Sequence, residues 1–107
     1  MYSESEVKEA TLAYFAGDEL ATNVFMTKYC LRNEKGAFME RTPDDMHHRM
    51  SSEFARIETK FDKEGVNSLD QQEIYSFLKD FQYIVPQGSP MMGIGNNYVN
   101  VSLSNCV

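Results

Sequence analysis

Residues 42–61, TPDDMHHRMSSEFARIETKF, decide the class of this fold. Threonine followed by proline is a strong helix opening. The hydroxyl can accept from a free backbone N–H, and the fixed φ of proline suits the first turn, where its missing donor costs nothing. Asp44 and Asp45 then occupy the turn in which the helix dipole favours negative charge. Met46, Met50, Phe54, Ile57 and Phe61 recur every three or four residues, so one apolar face runs the length of the segment. The spacing predicts a long amphipathic helix that other elements must cover along one side.

Those other elements are legible on both flanks. Residues 3–15 read as a helix with Val7, Ala10 and Tyr14 on one face and Glu4 and Glu6 at its positive end, stopped by Gly17. Asp18 is placed to cap a second helix reaching to about Cys30, with Leu20, Val24 and Leu31 at helical spacing. Asn33-Glu34-Lys35-Gly36 then turns the chain into a short extended piece, residues 37–40. Downstream, Ser68 with Gln71 three residues later forms a capping-box start for a fourth helix whose Ile74, Phe77, Leu78 and Phe81 face inward. The fold class expected is mainly α, with residues 1–83 as a helical segment.

The character changes after Phe81. Pro86, Gly88, Pro90, Gly93 and Gly95 forbid a continuous helix, and no charged residue occurs from Ile84 to Val107. Val99, Val101 and Leu103 alternate with Asn100, Ser102 and Ser104, the pattern of a strand with one packed and one polar face. A lone strand leaves its backbone donors and acceptors unpaired and offers an edge to partners. Residues 84–107 are therefore expected to be a glycine-rich loop and a strand, in a sheet completed by another chain or by further sequence.

Composition narrows the functions available. A chain of 107 residues with 42% hydrophobic side chains supports one core, and a formal charge of −6 with ten scattered basic residues argues against binding nucleic acid through its phosphates. No apolar run approaches the ~20 residues of a membrane span, and MYSESEVKEA lacks the basic and apolar regions of a signal peptide. A cytoplasmic protein with no membrane partner is expected, in which Cys30 and Cys106 are reduced thiols. Cys30 reads as a small buried hydrophobe, and most of the seven methionines as core filler.

Three constellations could carry chemistry. Residues 62–73, DKEGVNSLDQQE, counted as a twelve-residue calcium loop, place acids at positions one, three, nine and twelve and leucine at eight, between two helices. They resemble an EF-hand, although Val66 stands where an oxygen ligand belongs and Asn67 where the bend takes glycine. A small helical calcium-binding interaction module is therefore the alternative function, and a polar inter-helix loop is the simpler reading of the same residues. The second, His47-His48, points two rings about 100° apart on a regular helix, too far to serve one ion, and reads as a solvated face. The third is the C-terminal one, where glycine-flanked N–H groups and the hydroxyls of Ser89 and Ser104 could hold a phosphate close to Cys106.

The order of these last motifs is specific. YIVPQGSPMMGIG (83–95) followed by SLSNCV (102–107) resembles the entry into the catalytic barrel of the large, catalytic subunit of ribonucleotide reductase. DELATNVFMTKYCLRNEKGAFMERTPDDMHHRMSSEFARIE (18–58) resembles the N-terminal helical segment of that family, including its Thr-Pro-Asp helix start. The resemblance implies a ten-stranded α/β barrel, begun here by its first strand, and reduction of the ribonucleotide 2′-hydroxyl by radical chemistry. It implies that Cys106 is one of two thiols that deliver the electrons and finish as a disulfide, and that Ser89, Asn105 and Cys106 contact the substrate.

The same resemblance implies a thioredoxin- or glutaredoxin-like reductant. It also implies a radical from adenosylcobalamin or from a metal-containing small subunit, with the style of GSPMMGIGN and SLSNC leaning to the cobalamin type. No cofactor is expected on this chain alone. The second reducing cysteine, the radical cysteine and the glutamate and asparagine that assist it lie downstream in the family and have no match here. The chain is accordingly expected to be inactive by itself, as a split-gene, intein-interrupted or truncated product completed by the remainder of the catalytic subunit in an oligomeric enzyme. Activity control through the family's ATP-cone domain is not expected from this piece.

Calorimetric titration separates the two readings of residues 62–73. A polar loop gives no heat with calcium, whereas a calcium loop gives micromolar binding that Glu73→Gln weakens.

Overall fold

The computed structural model describes residues 1–61 and 68–98. In chain order it has α1 (Glu4–Tyr14), α2 (Glu19–Val24), α3 (Pro43–Phe61), α4 (Gln71–Leu78) and α5 (Gly88–Gly93). A π-helical turn, Phe25–Tyr29, prolongs α2, and a 3₁₀ turn, Lys79–Phe81, prolongs α4. The described residues are mainly helical and contain no strand, in keeping with the helical part of the expected fold. The strand expected from Val99 onward lies outside them. No helix among the described residues is long and apolar enough to cross a membrane.

Local chemistry explains where each helix starts and stops. Ser3 and Glu6 form a reciprocal capping box, the Ser3 hydroxyl accepting from the Glu6 N–H and the Glu6 carboxylate from the Ser3 N–H at 2.7 Å. Beyond α1, Ala16 and Gly17 take φ of 54° and 90°, and the Gly17 N–H closes onto the Leu12 carbonyl at 2.8 Å, a left-handed stop of the Schellman kind. Asp18 caps α2 as expected, accepting from the Ala21 N–H at 3.0 Å. At α3 the side chain closing the start is that of Asp45, which reaches back to the N–H groups of Arg41 and Thr42.

Three expectations about buried faces and caps need correction. On α2, Leu20 is 75% exposed, while Thr22, Phe25 and Met26 are buried. The π-helical turn causes this: the Cys30 N–H reaches five residues back to the Phe25 carbonyl, and the widened turn carries Phe25, Met26 and Cys30 inward together. On α3 the buried positions are Pro43, Met46, His47, Met50 and Ser51, and the stripe leaves the core by Phe61, which is 85% exposed. On α4 the cap is Asp70, accepting from the Glu73 N–H at 2.8 Å, two residues after the expected Ser68. An ionised carboxylate is the stronger acceptor. Ile74 and Leu78 point in, and Phe77 stays 41% exposed.

Met46 and Met50 form the centre of the core with Val7, Phe25, Met26, Cys30, Phe38, Ile74, Leu78 and Met91 around them. The short extended piece is used on both sides, because Phe38 makes antiparallel bridges to Tyr2 and to Arg32, whose guanidinium lies 4.1 Å over the Phe38 ring. Within the stretch expected as a glycine-rich loop, α5 forms and packs against the π-helical turn. Pro90 is admitted there because it stands in the first turn, where its missing N–H would have had no partner.

Because the start of α4 depends on Asp70, Asp70→Ala is expected to lower stability by about 1 kcal/mol in urea unfolding. Ser68→Ala should leave the midpoint where it is.

Candidate functional site

Arg49 lies between Met46 and Met50 on α3, yet its side chain is only 8% exposed, and that of Glu40, at the end of the extended piece, 4%. The Arg49 Nε donates to Glu40 Oε2 at 2.8 Å. Its two terminal nitrogens donate to the carbonyls of Met91 and Ile94 at 2.5 Å each, with Met92 at 3.5 Å. Met91 and Met92 belong to the last turn of α5 and Ile94 follows it, so these carbonyls have no acceptor role inside so short a helix. Glu40 is equally occupied: Oε1 accepts from the Leu31 N–H at 2.8 Å, and its backbone carbonyl accepts from the Cys30 thiol at 3.2 Å. A buried ion pair costs desolvation energy that only such complete pairing offsets.

Two glycines of this segment allow close contacts, one of them with the clamp. Gly95 has φ of 75°, and a Cβ there would meet the Arg49 side chain at 3.0 Å and its backbone oxygen at 3.3 Å. A Cβ on Gly88 would meet the Tyr29 ring at 3.0 Å. The close approach that the sequence suggested for a ligand is thus made, in the described residues, to side chains of the helical body.

Of the residues expected at a substrate site, Ser89 is half-buried in the first turn of α5, in the segment that Arg49 fastens. Asn105, Cys106 and Ser104 lie outside the described residues, as does the first half of the candidate calcium loop. Of that loop's acids, Asp70 serves as the cap of α4. Among the described residues no group of three or more His, Cys, Asp or Glu side chains is placed to hold a metal ion. Cys30 is buried, as expected, and burial pushes its thiol up to about 12, so it stays protonated and structural.

The two histidines part company. His48 is exposed, 3.4 Å from Asp44 and stacked on Tyr75 with centroids 4.0 Å apart. His47 is fully buried, so the solvated face expected for the pair holds for His48 and fails for His47. The signal was present in the spacing: Pro43, Met46, His47, Met50 and Ser51 follow i, i+3, i+4, i+7, i+8, the width of a core-facing stripe. Arg49 and Glu40 were missed for another reason. Arg49 sits at the edge of that stripe, but nothing in the linear sequence joins it to Glu40 or to α5.

Comparison with protein-family models, with curated proteins and with solved structures finds no match to this chain.

Arg49→Met keeps an unbranched apolar stem and removes the guanidinium with its donors. It is expected to strand the Glu40 carboxylate, cost about 3–5 kcal/mol of stability in urea unfolding, and speed hydrogen exchange at residues 91–96. Glu40→Gln, which retains an acceptor for Leu31, should lose less.

Proposed function

We propose that this chain is the N-terminal part of a ribonucleotide reductase catalytic subunit, which reduces ribonucleotides to deoxyribonucleotides by radical chemistry once the rest of the barrel completes it. The observation that carries this reading is the ordered run YIVPQGSPMMGIG and SLSNCV behind the helical stretch of residues 18–58. Two structural features are compatible with it. The Arg49 clamp gives the segment bearing Ser89 a rigid mount, which a substrate-orienting group requires. Tyr83, Ile84 and Val85, exposed at 76%, 51% and 61%, offer apolar surface for the remainder of the subunit to cover.

In this reading Cys106 and a second thiol from the remainder of the subunit each give up a hydrogen and join as a disulfide. The two electrons and two protons reduce the ribose C2′ position, whose hydroxyl departs as water. A thioredoxin- or glutaredoxin-like dithiol then restores both thiols by exchange. Ser89 and Asn105 orient the ribonucleotide by hydrogen bonds. The radical that starts the reaction, from adenosylcobalamin or a metal-containing small subunit, belongs to the rest of the enzyme.

Mixing the chain with the downstream part of such a subunit is expected to restore nucleotide reduction. In that assembly Cys106→Ser should abolish turnover with a dithiol reductant, and Ser89→Ala should raise KM more than it lowers kcat. Turnover that ignores the Cys106 change would overturn the assignment.

A further inference from the structure

Burial leaves His47 without the partners a polar ring normally has. Its exposure is 0%, and both ring nitrogens are buried with no hydrogen-bond partner. Buried polar atoms are nearly always paired, so an orphaned imidazole of this kind is a departure with consequences. The ring is held by packing: Phe81 lies 4.6 Å away at 77°, and Phe81 in turn stacks on Phe15 at the end of α1. The backbone that delivers Phe81 is itself unusual, since Asp80 and Phe81 both have positive φ, 54° and 57°, in a region that non-glycine residues avoid.

The charged and titratable groups that act on the ring, with the phenols bound to them, come from four elements. α3 contributes Asp44 and His48, the 3₁₀ turn Asp80, α1 Tyr14 and α4 Tyr75. Both carboxylates are already engaged. Asp80 accepts from the Tyr14 hydroxyl at 3.1 Å, and Asp44 accepts from the Tyr75 hydroxyl and lies beside His48. Neither bonds His47, so an imidazolium formed there would have two N–H donors and no acceptor in place.

We propose that His47 is a proton-sensitive lock, which holds the Lys79–Phe81 turn on α3 while neutral and releases it when protonated. Charge inside the packed junction is relieved most cheaply where the backbone is already strained. Relaxation of Asp80 and Phe81 gives the ring access to water and frees the Tyr14 contact. It also removes one wall of the apolar cleft of about 290 Å³ that Phe15, Phe25, Met46 and Phe81 help to line. The inference is independent of the proposed enzyme and concerns the helical body alone.

The direction with pH follows from linkage. Burial holds His47 below its ordinary 6.5, against the opposing pull of Asp44 and Asp80. The opened and unfolded forms therefore bind the extra proton more readily than the closed one. The closed junction is fully stable above pH 6.5 and weakens as pH falls below that value.

The test is NMR of the intact chain from about pH 7.5 to about pH 5, following both histidine rings and amide exchange at residues 79–82. One proton taken up on opening makes the open population rise about tenfold per pH unit below the unperturbed value. Protection in the turn is expected to fall with that slope in the wild type and in His48→Gln, and to lose it in His47→Phe, which keeps an aromatic ring against Phe81. A His47 that titrates near 6.5 or above, or that protonates while the turn stays protected, overturns the proposal. So does an unchanged slope in His47→Phe. Should that variant fail to fold, the wild-type ring and amide profiles decide the matter alone.

Discussion

The ion pair between Arg49 and Glu40 is the point at which separate parts of this chain are made into one body. Arg49 comes from the long helix, Glu40 from the extended piece before it, and the carbonyls that fill the rest of the guanidinium fork from α5. A helix of six residues has too few internal hydrogen bonds to persist alone. Here its open C-terminal end is finished by a side chain from elsewhere, with a planar fork whose several donors a lysine could not match. The glycine at position 95 follows from the same contact, since a side chain there would collide with Arg49.

Around His47 the chemistry is arranged differently, by exclusion instead of pairing. The flanking tyrosines bind carboxylates through their hydroxyls, and both phenols are pushed up, Tyr14 by burial and then its hydrogen bond, Tyr75 to about 12 by its hydrogen bond and then burial. These contacts keep their protons throughout the neutral range. Of the two histidines beside them, one is in water and one in the core. Two adjacent residues of one helix thus have opposite relations to solvent, because a helix turns about 100° between them.

For the function proposed, the helical body acts as a mount. Its core ends at Met91, and its clamp ends at Ile94 and Gly95, immediately before the stretch in which the redox thiol is expected. The chemistry asked of Cys106 needs a second thiol, and Cys30 is unsuited to supply it. It is buried, held protonated and hydrogen-bonded to the Glu40 carbonyl. The two cysteines of the chain thereby divide into a structural one and a candidate reactive one.

The helical class, the cap at Asp18, the stop at Gly17 and the start of α3 at Pro43 were readable in the sequence, although Asp45 and not the Thr42 hydroxyl closes that start. Each depends on residues within one or two turns of one another, where side chain and backbone meet without help from the rest of the fold. The π-helical turn, which redirected the buried face of α2, was not readable, and neither was the choice of Asp70 over Ser68. The first shows in a hydrogen bond that reaches one residue further back than an α-helix allows, and the second in a carboxylate that out-competes a hydroxyl as acceptor. The burial of His47 was written in the spacing but masked by the polarity of the ring. The Arg49–Glu40–α5 junction and the left-handed turn at Asp80 and Phe81 were decided by tertiary structure alone, because their partners stand 9, 42 and 45 residues apart in one case and 66 in the other. Local sequence carries the information for hydrogen bonds that close within a turn, whereas a buried charge finds its partners only when the chain has already brought them together.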